Sequence, residues 1–363
     1  MSRSRWKVGV IGATGMVGQR FLSLLENHPW FDVTVLAASS RSSGKPYKEA
    51  LGGRWALTSA IPARFSAITV MDSAKVNEIA DQVDFIFCAV DMPKDEIIRL
   101  EEAFAKTETP VVSNNSALRM APDVPMIIPE INPDHAAVIS AQRRRLGTKV
   151  GFVTAKPNCS IQSYVPALHP LRDFGIDKVS VCTYQAISGA GKTFENWPEM
   201  VDNVIPFIKG EEEKSEREPL KIWGEIEEEK IKSASLPLIS AQCLRVAASD
   251  GHMAAISVSF QKKPSIAEIL DRWTTFEGIP QRRNLPSAPR PFLRYFSEDD
   301  RPQTRLDRNE GNGMAISIGR LRPDSLFDYR FVALSHNTIR GAAGGAVLTA
   351  EFLCAEGWIP KKE

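Results

Sequence analysis

Short apolar runs alternate with stretches of helical spacing through the first third of the chain. "WKVGVIG" (6–12) reads as a buried strand ending in glycine, and "GMVGQRFLSLLENHP" (15–29) as a helix with a proline stop. "FDVTVLAAS" (31–39), "VDFIFCAVD" (83–91) and "TPVVSNNS" (109–116) read as further strands, with a helix over "PKDEIIRLEEAFAKTE" (93–108). This alternation predicts parallel βαβ units and a Rossmann-like doubly wound sheet. The pattern changes after about residue 157. A helix over 160–175 leads to a strand over 178–188, and half-buried alternating strands follow at 252–261, 313–321 and 327–335. A charged helix over 211–232 and another over 266–276 stand apart from them, which predicts an α+β unit on a mostly antiparallel sheet. Residues 278–313, rich in Pro, Arg, Asp and Asn, read as loop. The tail, 337–357, is helical and can pack back on the first unit.

The chain has 363 residues, which suits two domains. With 43% hydrophobic and 25% charged residues it is an ordinary globular composition. A net charge of +1 gives no reason to expect nucleic acid or a membrane surface as partner. No apolar run is long enough to predict a spanning helix, and the glycine-broken N-terminus does not read as a secretion signal. The five cysteines are scattered, without a CxxC pair, so neither a disulfide framework nor a metal site is expected, and a reducing cytoplasm is the natural setting.

Candidate chemistry begins at the first strand–helix join. Gly12, Gly15 and Gly18 are spaced GxxGxxG, half matching the dinucleotide fingerprint. Such a turn brings backbone N–H groups and a helix N-terminus to a pyrophosphate. The second strand runs into "AASSRSSGK" (37–45), with no acid for a ribose 2′-hydroxyl. Ser39, Ser40, Arg41, Ser42, Ser43 and Lys45 there suit a 2′-phosphate, which favours NADP over NAD. Cys88, Cys182, Cys243 and Cys354 lie in apolar or strand-like runs and read as core, although Cys88 ends a parallel strand and could lie near the cofactor. Cys159, in "AKPNCSIQ", opens the expected 160–175 helix, whose dipole would lower the thiol pKa. The residues alone leave two readings of it open, buried filler or nucleophile. His28, His135, His169 and His336 read as surface or loop residues.

"GATGMVGQ", "SNNSALRMAPDVPMIIPEIN", "KPNCSIQ", "TYQAISGAG", "EEEKSE" and "LRVAASDGHMAAISV" occur in an order that resembles the aspartate-β-semialdehyde dehydrogenases, closest to the archaeal and fungal branch. The resemblance spans nearly the whole chain. It implies an NADP-binding domain over 1–157 and 337–363, and a catalytic and dimerisation domain over 158–336. Cys159 matches the family nucleophile, His252 the acid/base and Gln185 a residue orienting the substrate carbonyl. Arg245 matches the carboxylate-binding arginine, Glu211 a partner near the amine, and Arg119 with Lys214 the phosphate-binding pair. Gly12, Thr14, Gly15, Met16, Val17, Ser39, Arg41, Ser42, Cys88, Ser188, Gly189 and Asn337 match cofactor contacts. A near-neutral histidine at 252 would take the proton from sulfur and return one to the alkoxide. Arg245 and His252 would share a face only if a turn lies between them.

The resemblance implies phosphate-dependent interconversion of L-aspartyl 4-phosphate and L-aspartate semialdehyde, on the route to threonine, methionine and lysine. It also implies a homodimer, or a tetramer built from dimers. Three alternatives stand beside it. One is a reductase of N-acetylglutamyl phosphate or malonyl-CoA. Another is a glyceraldehyde-phosphate dehydrogenase type, disfavoured by the Ser/Arg loop. The third is a non-catalytic NADP sensor.

Overall fold

A computed structural model describes residues 5–362 of the chain. Six strands, β1 (Trp6–Ile11), β2 (Phe31–Ala38), β3 (Met71–Asp72), β4 (Phe85–Cys88), β5 (Val111–Ser113) and β6 (Val153–Ala155), form one sheet in the order β3-β2-β1-β4-β5-β6. Every pairing in it is parallel. The order reverses between β1 and β4, and in such sheets the crevice at the carboxyl ends of those strands is where ligands bind. The strands are apolar on both faces because helices cover both. Val8, Val10, Phe85 and Phe87 are fully buried, as are Phe21 and Leu22 of the helix Met16–Leu25. Helix Gly344–Ala355 joins this core through Ala346, Val347, Leu348 and Leu353. It is buried along its length, which explains why the tail is apolar almost all round.

The second sheet has seven strands. β7 (Ile176–Gln185), β8 (Val204–Ile205), β11 (Leu238–Val246), β12 (His252–Phe260), β13 (Leu293–Phe296), β14 (Ile316–Pro323) and β15 (Tyr329–Ser335) lie in the order β13-β14-β15-β12-β7-β11-β8. Two pairings, β13 with β14 and β7 with β11, are parallel, and the other four are antiparallel. A separate hairpin joins β9 (Glu225–Glu227) to β10 (Lys230–Lys232). Side chains alternate along β12 and along β7 from Lys178. Val179, Val181, Ala254, Ile256 and Val258 face a core closed by Trp273 of helix Ile266–Thr275. Ser180, Cys182, Tyr184, Leu244 and Met253 point to the other face, which the chain leaves uncovered: Tyr184 is 37% exposed and Leu238 60%.

Four expectations need correction. The 160–175 segment is three short pieces, Ser160–Gln162, Val165–Leu168 and His169–Phe174, broken where Pro166 and Pro170 remove N–H donors. The 211–232 helix stops at Ile222, and the Glu228-Glu229 pair, both with φ > 0, makes the hairpin turn instead. Residues 278–313 contain β13, whose apolar side chains Leu293 and Phe296 complete the sheet edge. His28, His135 and His336 are buried rather than superficial; His28 Nε2 bonds Glu351 2.8 Å away inside the first core. No helix of the described residues is long and apolar enough to cross a membrane.

Candidate active site

Two adjoining cavities occupy the switch point and its junction with the second sheet, with Asp91 lining both. The first, 610 Å³, is lined by Gly12, Thr14, Gly15, Ser39, Arg41, Ser42 and Lys45, with Val90 across from them. Gly12 has φ +87°, and a Cβ there would lie 2.2 Å from Ala89 O. A Cβ on Gly18 would lie 2.3 Å from Gly12 O, so the glycines set the tight strand–helix approach. The helix Met16–Leu25 begins without a side-chain cap, leaving its first N–H groups for an anion. The end of β2 carries hydroxyls and two cations and no acid. These residues fit a dinucleotide bearing a 2′-phosphate. Cys88 does not line the cavity: its thiol is fully buried, accepts from Asn115 Nδ2 at 3.4 Å, and is pushed well up by burial and nearby Glu101. Met16 borders neither cavity, while Val17 lines the second.

The second cavity, 430 Å³, brings together Cys159, Arg119, Glu211, Lys214, Ser188, Gly189 and Asn337 with Asn114, Asn158 and Gly341. Cys159 follows β6 in a turn fixed by Asn158, whose Oδ1 accepts from Ser160 N (2.8 Å) and Ser160 Oγ (2.6 Å). A Cβ on Gly341 would lie 2.9 Å from Cys159 Cβ, so the 339–343 π-helical turn lies directly on the cysteine. The three-residue helix after Cys159 is too short for the expected dipole effect. Instead, burial raises the thiol pKa and Glu211 adds to the rise, while Lys156, Arg119 and Arg245 oppose it.

Gln185, Arg245 and His252 sit at one end of three neighbouring strands. Arg245 of β11 is in register with Gln185 of β7, and His252 opens β12 on the other side of β7. The turn between Arg245 and His252 ends at Gly251 (φ +97°), whose N–H donates to Asn337 Oδ1 at 2.7 Å. That turn puts both side chains on the covered face. Arg245 Nη1 donates to Ala186 O (2.6 Å), and a Cβ on Gly189 would lie 2.9 Å from both Arg245 Nη1 and His252 Nε2. Asn337 Nδ2 donates to Ser188 Oγ at 2.9 Å, so the predicted contacts Ser188 and Asn337 touch each other.

His252 departs from the near-neutral base expected of it. Burial, then Arg245, push its pKa down to about 3. Its Nδ1 accepts from Ala186 N–H at 3.0 Å, which assigns the proton to Nε2, and Nε2 is buried with no protein partner. In the free protein it is a neutral ring with one unused donor.

Helix Glu211–Ile222 supplies the remaining wall. Glu211 accepts from Asn158 Nδ2 (3.1 and 3.0 Å), Gln185 Nε2 (3.3 Å) and Lys214 Nζ (2.7 Å). Burial opposes its charge, but Lys214 and these bonds hold the carboxyl below its ordinary pKa. Arg119 Nη1 pairs with Glu218 Oε1 at 3.0 Å and Nη2 donates to Asn114 O at 3.1 Å. Glu218 and Gly341 were not among the expected site residues. Glu218 sits in the charged run at the helical spacing i+7 from Glu211, and Gly341 in the glycine-rich "RGAAGG", but neither signal is specific.

The semialdehyde dehydrogenase NAD-binding domain matches residues 7–139, and the semialdehyde dehydrogenase dimerisation domain matches residues 168–340. An aspartate-semialdehyde dehydrogenase of Archaeoglobus fulgidus is 42% identical over 354 residues, covering 97% of this chain and 99% of its own. That of Saccharomyces cerevisiae is 40% identical over 365 residues, covering 97% and 98%. Among solved structures, aspartate semialdehyde dehydrogenase with NADP from Candida albicans superposes with a TM-score of 0.87 at 38% identity, covering 98% of this chain and 100% of that one.

Proposed function

The chain belongs to the aspartate-semialdehyde dehydrogenase family, and from that premise we propose that it is an NADP-dependent, phosphorylating aspartate-semialdehyde dehydrogenase. The observation that carries the reading is one thiol set between two kinds of cation. Arg245 lies on the sheet side, and Arg119 and Lys214 on the helix side, with the glycine-lined cleft adjoining. A planar guanidinium matches a carboxylate with two parallel hydrogen bonds, and a cation pair matches a phosphate.

In the reductive direction Cys159 loses its thiol proton to solvent, the thiolate attacks the acyl carbon of L-aspartyl 4-phosphate, the C–O bond to phosphate breaks, and a thioester remains. Arg119 and Lys214 hold the departing phosphate. Bound NADPH supplies the hydride for the thioester carbon. His252 Nε2–H, which has no protein partner and lies beside the cavity-lining Gly189, serves as a donor to the oxygen that gains charge. When the substrate carboxylate neutralises Arg245, the second cause of the low histidine pKa is removed, and the ring becomes easier to protonate. Collapse of the resulting thiohemiacetal releases L-aspartate semialdehyde and returns the thiolate. The product feeds synthesis of threonine, methionine and lysine.

The uncovered face of the seven-stranded sheet supports a homodimer, and five free cysteines suit a reducing cytoplasm. The reaction is tested by following absorbance at 340 nm with L-aspartate semialdehyde, phosphate and either NADP or NAD. Reduction that requires phosphate and prefers NADP is expected. No signal from folded protein, with turnover instead of N-acetylglutamyl phosphate or malonyl-CoA and NADPH, would overturn the assignment.

A further inference from the structure

We propose that Glu218 is a positioning residue that locks the phosphate-binding arginine to the backbone of the nucleophile's turn. Its two oxygens do different things. Oε1 accepts from Arg119 Nη1 at 3.0 Å, and Oε2 accepts from the N–H of Asn158, the residue before Cys159, at 2.6 Å. Glu218, Arg119 and Asn158 are 2%, 8% and 4% exposed, so neither bond is diluted by water.

The arrangement repeats along one face of the helix. Glu211, seven residues earlier, holds the Asn158 side-chain amide and pairs with the other cation, Lys214. Each of the two carboxylates therefore binds one cation and one end of the same asparagine. One turn beyond Glu218, Lys221 Nζ donates to three carbonyls of the arginine's own segment, Arg119 O (2.6 Å), Ala121 O (2.6 Å) and Val124 O (2.8 Å). Arg119 Nε is buried and meets no protein partner. With Nη1 on Glu218 and Nη2 on Asn114 O, the guanidinium has a fixed orientation in the wall of the cavity.

A glutamine at 218 keeps one acceptor oxygen and turns an NH2 toward a second donor, so it cannot serve both partners. The assignment rests on the phosphate-dependent reaction proposed above, and the experiment separates the two. Initial rates are measured against phosphate, NADP and semialdehyde for the wild type, Glu218→Gln, Glu218→Asp and Glu213→Gln. Melting temperatures and the rate of Cys159 alkylation by iodoacetamide are measured alongside. Glu213 is an exposed residue of the same helix and serves as control. The KM for phosphate should rise roughly 10- to 100-fold in Glu218→Gln, the loss of one hydrogen bond to a charged group. The KM for NADP should stay within about twofold. Glu218→Asp should recover part of the phosphate affinity, and the Cys159 alkylation rate should change only in the 218 variants. A phosphate KM within about twofold of wild type in Glu218→Gln would overturn the assignment. So would a uniform loss of all three kinetic constants with a lowered melting temperature. If the wild type itself turns over no semialdehyde, the functional reading fails, and equal alkylation rates in wild type and Glu218→Gln then overturn the positioning role independently.

Discussion

At the scale of single residues, the free site is built to hold its thiol protonated. Burial and Glu211 raise the Cys159 pKa, so the thiolate fraction at neutral pH lies below that of an ordinary cysteine. Alkylation of Cys159 should be slow near pH 7 and should accelerate as pH rises. Glu211→Gln removes a negative charge, lowers the thiol pKa and should speed alkylation at pH 7; an unchanged rate would mean that Glu211 does not reach the sulfur electrostatically. His252→Asn should slow turnover roughly 10²- to 10⁴-fold if the Nε2 donor serves the reacting oxygen. Steady-state rates near wild type would remove it from the chemistry. The residue types and their order were legible in the sequence. Their charge states were not, because a pKa depends on burial and on neighbours distant along the chain. The 160–175 stretch has the spacing of one helix, and its two prolines break it into short pieces.

Among elements, the most informative is the irregular turn at 339–343. Its π-helical geometry, with Ala342 at φ −141° and ψ −107°, brings Gly341 against Cys159. Gly341→Ala should force the cysteine or the turn to shift, at a cost of about 1–3 kcal/mol typical of overpacking. Turnover should fall well beyond any change in cofactor affinity. Wild-type kinetics in that variant would show that the turn has room to spare. Parallel strands and their helices were readable because the hydrophobic period changes cleanly from one to the next. β11 and β13 are not legible in the sequence, for a physical reason. β11 carries Ser240 and Gln242 on the uncovered face and Arg245 on the covered one, which breaks the apolar alternation, and β13 is only four residues long within a Pro- and Arg-rich stretch.

For the whole molecule, two consequences can be measured. The uncovered sheet face bearing Tyr184, Leu244 and Met253 should be the surface buried in the dimer. Tyr184→Glu with Leu244→Glu should give monomers by sedimentation, and an unchanged mass would place the interface elsewhere. Burial depresses His252 to about 3, and His169 and His336 to about 4. The unfolded chain binds protons at these rings from about pH 6.5 downward, whereas the folded chain does not until near pH 4. Their stability contribution is complete above pH 6.5 and is lost as pH falls through that window. The melting temperature should drop across it, and His336→Gln should flatten the slope. The grip of helix Glu211–Ile222 on the 119–124 segment has a mechanical meaning as well. Arg119 follows β5 of the nucleotide-binding sheet in the chain, yet Glu218 and Lys221 fasten its segment to the helix beside the second sheet. One carboxylate thus spans the guanidinium on one side and the backbone beside the sulfur on the other, so the separation of anion from sulfur is set by a single side chain.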